Sequence, residues 1–299
     1  MALGDVTARI VRSDGQEFMI GDGDWRIINE GLENWANLPY NVFSTELPSL
    51  DGAIVTSKRV SSVDRTIIAE CKGDNPDELR ANAIWFFNPK FSYEVHMTYR
   101  GRTRWCSGEQ IGFMASEGNM YRRPQLTWTI LCPDPYLKSE DNFGRDIAEI
   151  VPMFAFPWYS ALPRNAKGER NKFTNENAVV SVHKFTKVID IHNDGDVESD
   201  MIIVVKARGT VINPIISIGE GYVRLLHTLE SGDVLRLDCV NRPPLVTING
   251  ENAMHMLDRK SSILNLRIAV GDTTLEYDAD DGYQNMSVSV FWNKKFLGV

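Results

Sequence analysis

The sequence predicts a mostly β protein in two domains, an N-terminal β-sandwich-like domain with one α-helix and a C-terminal β-sandwich. Three observations carry this. Leu126, Trp128, Ile130 and Cys132 alternate with Thr127, Thr129 and Leu131, the period-two pattern of a strand with one face on a core, and Pro133 and Pro135 then end it. From Ala178 onward the period is two nearly everywhere, with turn signals between short runs. Between Asn75 and Phe87 the pattern changes to helical spacing. A length of 299 residues suits two domains of ordinary size.

Taken in order, Val6, Ala8 and Ile10 alternate with Thr7 and Arg9, and Ser13-Asp14-Gly15 turns the chain toward Phe18 and Ile20, a first hairpin. Gly21 to Pro48 reads as an irregular segment anchored by Trp25, Trp35, Tyr40 and Phe43. Its Gly-Asp-Gly-Asp run at 21–24 reads as a turn, since the later ligands of a calcium loop are missing. Asp51-Gly52 opens the next strands. Val63 to Cys71 carries apolar residues on both faces, as expected of a central strand covered on two sides. Asn75-Pro76-Asp77-Glu78 specifies a helix start, with Asn75 as cap, Pro76 at the first helical position and acids on the positive end of the helix dipole. Leu79, Ala83, Phe86 and Phe87 then form a core-facing stripe, and Asn88-Pro89 ends it.

Residues 91–105 return to a strand pattern, with Arg100, Arg102 and Arg104 on one face. Three like charges in a row repel one another. The row is either a solvated edge strand kept from pairing by its charge or a contact for an acidic partner, and Arg122 and Arg123 extend it. Leu126 to Tyr136 closes the first domain, residues 1–137, and a different sheet is expected after it. Residues 138–177 comprise a crossover and an exposed loop: Val151 to Pro163 is apolar on both strand faces and interrupted by prolines, and Arg164 to Asn177 is polar. The second domain, 178–299, holds strands at Val179 to Ile191, Met201 to Ala207, Val211 to Ile218, Val234 to Val240, Leu245 to Ile248, Ile263 to Val270, Thr273 to Tyr277 and Met286 to Trp292.

Composition and motifs exclude several classes. A net charge of −8 argues against a surface built for nucleic acid. Cys71, Cys106, Cys132 and Cys239 are widely spaced and read as small buried strand residues, so neither zinc nor a redox dithiol is expected. The start of the chain has no signal-peptide pattern, and no apolar run reaches membrane-spanning length. His96, His183, His192, His227 and His255 are scattered without ligand spacing. Asp278, Asp280, Asp281 and Gly282 read as an acidic turn rather than a calcium loop. There is no nucleophile elbow and no P-loop. No catalytic residue, metal or cofactor is expected.

The Cys132-Pro133-Asp134-Pro135-Tyr136 exit, the Asp51-Gly52 segment, the helix from Asn75 to Phe87, the Phe156-Pro157-Trp158 crossover and the Asn193-Asp194-Gly195-Asp196 turn occur in an order that resembles the distal tail proteins of long-tailed bacteriophages, or of phage-derived tail-like particles. The resemblance extends over nearly the whole chain. It implies a galectin-like or carbohydrate-binding-module-like second domain and a structural virion protein, assembled in the host cytoplasm and resident in the tail. It further implies a hexameric ring joining the tail tube protein to a tail-tip hub protein and to receptor-binding or baseplate proteins, with a central opening for DNA. No enzyme activity, membrane or sequence-specific nucleic acid is implied. Arg100, Arg102 and Arg104 are then candidates for a subunit contact. The alternative expectation is a glycan-binding protein that reads the host surface with aromatics such as Trp158, Tyr159, Tyr222 and Trp292, although Trp292 continues the inward row of Val288 and Val290.

Overall fold

The computed structural model describes residues 6–47, 51–118, 123–140, 143–146, 149–152, 181–184, 187–219 and 221–299. The chain forms two compact units that are not divided by a single cut. Unit 1 comprises 1–142, 194–198 and 293–299; unit 2 comprises 143–193 and 199–292.

Unit 1 opens with β1 (Val6–Arg12), β2 (Glu17–Ile20), β3 (Trp25–Glu33), β4 (Tyr40–Glu46), β5 (Ala53–Val60) and β6 (Val63–Cys71). The helix α1 (Pro76–Phe86) follows, then β7 (Ser92–Tyr99), β8 (Arg102–Ala115), β9 (Gln125–Cys132) and β10 (Leu137–Ser139). The main sheet runs in the order β2-β1-β7-β8-β9-β6-β3, every pair antiparallel. Its two end strands, β2 and β3, are consecutive in the chain. They are joined by a tight turn in which the Gly21 amide donates to the Trp25 carbonyl, so the sheet curls back on itself and encloses its own core. Gly21 has φ +104°, and a Cβ there would lie 2.3 Å from the Val6 carbonyl oxygen, which leaves glycine as the residue that fits this turn.

The core is aromatic. Trp128 of β9 is fully buried, with ring centroids of Phe87 at 5.0 Å and Tyr93 at 5.4 Å, and its indole N–H donates to Gln110 Oε1 at 3.1 Å. The helix packs one narrow face: Ala83 and Phe86 are buried, with Phe87 just beyond them. Pro76 begins α1 as its sequence specifies, but Asn75 makes no side-chain bond to a helix amide. Its Nδ2 instead donates to Glu78 Oε2 at 3.3 Å, an exposed pairing that takes the place of the expected capping box.

Other expectations change as well. Gly21 to Pro48 is not irregular, since it contains β3 and β4. Trp25 and Trp35 are buried anchors, whereas Tyr40 and Phe43 are exposed. The sheet after Cys132 is not a new one either, because β10 pairs with β8 of the main sheet. A proline exit ends a strand without ending a domain.

Unit 2 contains β11 (Phe143–Asp146), β12 (Glu149–Pro152), β13 (Ser181–Lys184), β14 (Val188–Asn193), β15 (Met201–Ala207), β16 (Val211–Ile218), β17 (Gly221–Arg224) and β18 (Thr228–Leu229). It continues with β19 (Val234–Asp238), β20 (Leu245–Ile248), β21 (Glu251–Asn252), β22 (Gly271–Asp281) and β23 (Met286–Trp292). One sheet has the order β11-β23-β15-β19-β20-β21 and another the order β14-β22-β16-β17, with β18 beside β16. Their inward rows, Ile203, Val205, Leu235, Leu237, Val288 and Val290 from one and Ile191, Ile216, Ile218, Leu275 and Tyr277 from the other, make one core, which is a β-sandwich.

The segment from Ile263 to Val270 is not a strand. Ile263–Asn265 forms a 3₁₀ turn, Leu264 and Val270 face solvent, and Ile263, Leu266 and Ile268 enter the core. This segment contributes side chains to the core, and its one β-type pairing among the described residues is the bridge from Ile268 to Ser199. After β23 the chain adds β24 (Lys295–Phe296), which pairs with β10 and therefore belongs to unit 1. The apolar crossover beyond Pro152 and the loop from Arg164 to Asn177 lie outside the described residues.

Candidate subunit-contact surface

The three arginines do not form one row. Residues 91–105 are a hairpin: β7 and β8 pair from Tyr99↔Arg102 onward, and Arg100 and Gly101 occupy the turn with φ of +49° and +76°. Two consecutive left-handed residues make a type I′ turn, whose twist matches that of the flanking strands. Arg100 is exposed, with its guanidinium 5.3 Å from the Tyr99 ring, and Arg102 is exposed beside it.

Arg104 has a different task. Its guanidinium lies 3.8 Å from the Phe296 ring centroid, and Nη1 donates to the Gly298 carbonyl, so it clamps the C-terminal segment onto unit 1. Partial burial lowers its pKa, as does Arg102, while Asp196 acts in the opposite sense. Nor is this an edge strand, because β8 lies between β7 and β9. Arg123 donates to the Lys72 carbonyl at 3.0 Å, and Arg122 lies outside the described residues.

The surface that sequence reasoning missed is the hairpin β4–β5. It pairs Tyr40↔Val60 through Glu46↔Ala53 and joins no other strand among the described residues. Its base is fixed: Leu38 is buried, Val60 packs on the core, the Ser61 amide donates to the Pro39 carbonyl, and Asn41 Nδ2 donates to Ser61 Oγ at 2.6 Å. Beyond the base, both strands are exposed along their length. Tyr40, Val42 and Val55 share one face and Phe43 and Ile54 the other, so apolar side chains point both ways and two strand edges stand unpaired. An isolated two-stranded hairpin is marginal in water. The readable signal was the composition of Ala53 to Val60, a strand-forming run with apolar residues on both faces.

Unit 1 has a second set of exposed apolar side chains, Ile84 and Trp85 on α1 with Ile111 and Met114 on β8. α1 and β8 are tied together by Arg80, whose Nε donates to the Ala115 carbonyl at 3.3 Å. No cluster of metal-ligating residues occurs among the described residues. Trp292 belongs to the core, Tyr222 is half-buried, and Trp158 and Tyr159 lie outside the described residues.

The chain thus presents a curled β domain with a projecting, largely apolar hairpin, followed by a β-sandwich. Residues 194–296 match the model of the siphovirus-type tail component, C-terminal domain. Over 97% of this chain and 99% of that one, the structure is similar to the Dit protein (gp 19.1) of phage SPP1, described as a paradigm of the hub adsorption apparatus in Gram-positive infecting phages, at 12% identity and a TM-score of 0.61. It is also similar to a chain of the phage P2 baseplate in its activated conformation with calcium, at 10% identity and a TM-score of 0.51, over 98% of this chain and 99% of that one. At such identities these two likenesses establish the fold. No curated protein matches. The family match lies in the C-terminal part of the chain, residues 194–296, and the likeness to the two tail proteins extends that fold over nearly the whole of it.

Proposed function

We propose that the protein is a non-catalytic ring subunit of the tail tip, closing as a hexamer that joins the tail tube to a hub protein and to receptor-binding or baseplate proteins. The observation that carries this is the β4–β5 hairpin. A cyclic ring is built from heterologous contacts, in which one patch of each copy meets a different patch of the next. The hairpin supplies the first patch, and the exposed apolar residues of α1 and β8 supply the second. The occupant is a second copy of this chain: the hairpin region from Tyr40 to Val60 carries two acids and two bases, so apolar contact, not charge, drives its burial. Arg100 and Arg102, exposed on the β7–β8 turn, are proposed as rim contacts, and Arg104 acts within its own subunit.

The test is solution mass by light scattering, followed by negative-stain imaging and hydrogen exchange. A closed ring of about six copies, with slowed exchange across residues 40–60, supports the reading. A chain that stays monomeric at millimolar concentration, with unprotected hairpin amides when mixed with tail tubes, would sink it.

A further inference from the structure

Cys106 of β8 and Cys132 of β9 are buried neighbours, with Sγ atoms 3.7 Å apart and the Cys132 thiol donating to Cys106. Gly108 brings the strands together here: a Cβ on it would lie 2.2 Å from the Leu131 carbonyl oxygen, so β9 sits closer to β8 than a side chain would allow.

Beside the pair lies Arg65, fully buried and without an ion pair among the described residues. Its Nη1 is 4.0 Å from Cys132 Sγ, Nη2 donates to the Pro135 carbonyl at 2.7 Å, and Nε donates to the Asn34 carbonyl at 3.3 Å. Its guanidinium is 5.3 Å from the Trp35 ring. Carbonyls and an indole face satisfy donors but do not neutralise a charge, and a buried cation calls for an anion.

We propose that Cys106 and Cys132 form a redox-active dithiol, with Arg65 as counter-ion to its thiolate, and that it closes to a cross-strand disulfide when a small peroxide reaches it. The hydrogen bond from Cys132, with Arg65 nearby, lowers the Cys106 pKa against its burial. The same hydrogen bond and burial raise that of Cys132. Cys106 is therefore the attacking sulfur. Its thiolate attacks one oxygen of hydrogen peroxide, the O–O bond breaks, and the hydroxide released takes up a proton, leaving Cys106 as sulfenic acid. The Cys132 sulfur then attacks the Cys106 sulfur, water leaves, and the thiol proton departs with it. In sum, two thiols and one peroxide give one disulfide and two waters. Closure draws the sulfurs from 3.7 Å to about 2 Å. Cys239, whose burial pushes its pKa to about 12, stands outside this chemistry.

The experiment exposes the folded full-length protein to stoichiometric hydrogen peroxide, blocks free thiols with N-ethylmaleimide in denaturant, and reads intact mass and the peptide map. The expected result is loss of two maleimide additions out of four, a single Cys106–Cys132 linkage, and a rate that rises with pH as the thiol ionises. Cys71→Ala should react as the parent does, and Cys132→Ala should stop at a Cys106 sulfenic acid trapped by dimedone. Four alkylatable thiols after treatment, a linkage to Cys71 or Cys239, or oxidation of Cys106 past sulfenic acid with Cys132 still free would each overturn the proposal. The readout is chemical and independent of ring formation, so neither result bears on the tail-ring reading.

Discussion

Replacing Val42, Ile54 and Val55 together by threonine should weaken ring closure about a hundredfold while leaving the isolated subunit as stable as before. These side chains are 55%, 55% and 50% exposed, so a covering neighbour recovers roughly half of each. Full burial of such a side chain is worth about 1.5–3 kcal/mol, and half of that is about 1 kcal/mol per position. Three positions sum to about 3 kcal/mol per interface, or about two decades in dissociation constant. Threonine keeps the β-branch and therefore the hairpin's strand preference. Because the residues touch no core, each change should move subunit stability by less than about 0.5 kcal/mol. The assay is a dilution series followed by light scattering, paired with thermal melts under monomeric conditions. An assembly midpoint within threefold of the parent's would refute the argument, because it would leave the apolar arm uncovered in the ring.

Two further outcomes are expected. Arg104→Glu should destabilise unit 1 by about 2 kcal/mol, from a lost charged hydrogen bond and a lost cation–aromatic contact, and lower the melting temperature by about 4–8 °C; the double change Arg100→Glu with Arg102→Glu should leave the melt unchanged and slow assembly, so equal melts for the two variants would contradict the distinction. The Arg12 guanidinium, which donates to Asp14 and to the Phe86 carbonyl at the end of α1, holds the Asp14 carboxyl below its usual range. A depressed carboxylate contributes stability that is present above its unfolded value and is lost as pH falls through the folded one. Melts of Asp14→Asn and parent should therefore differ at pH 7 and converge in acid, and an unchanging difference would rule this pair out as a source of acid sensitivity.

Much of the architecture was legible because it depends on local period. The β9 alternation, the Pro76 helix start and the two-residue rhythm of unit 2 follow from side chains choosing between a core and water. The failures occurred where a choice was made elsewhere in the chain. Arg100-Gly101 reads as a continuing strand because the familiar type I′ pair is Asn-Gly, yet Arg100 takes φ +49° when the flanking strands pair well enough to hold it there. Ile263 to Val270 alternates cleanly, but it opens with a 3₁₀ turn and pairs with a neighbour only at the Ile268–Ser199 bridge. The cysteines read as inert because Cys106 and Cys132 are far apart in sequence, and Arg65, which changes their chemistry, is on a third strand. The strands after Asp51-Gly52 were legible, but their exposure was not, because exposed apolar strands and buried ones share a composition.

The path of the chain between the units has a practical meaning. It passes from unit 1 to unit 2 near residue 142, returns at 194, leaves again at 198 and comes back at 293, so four covalent threads join them. Val299 donates its amide to the Trp35 carbonyl and packs on the unit 1 core, so residues 293–299 are held in unit 1. A fluorophore attached within residues 293–299 would therefore report on unit 1, although these residues follow unit 2 in the sequence. Exchanging unit 2 for that of a relative takes two separate cassettes, 143–193 and 199–292, with the short stretches 194–198 and 293–299 kept from the parent.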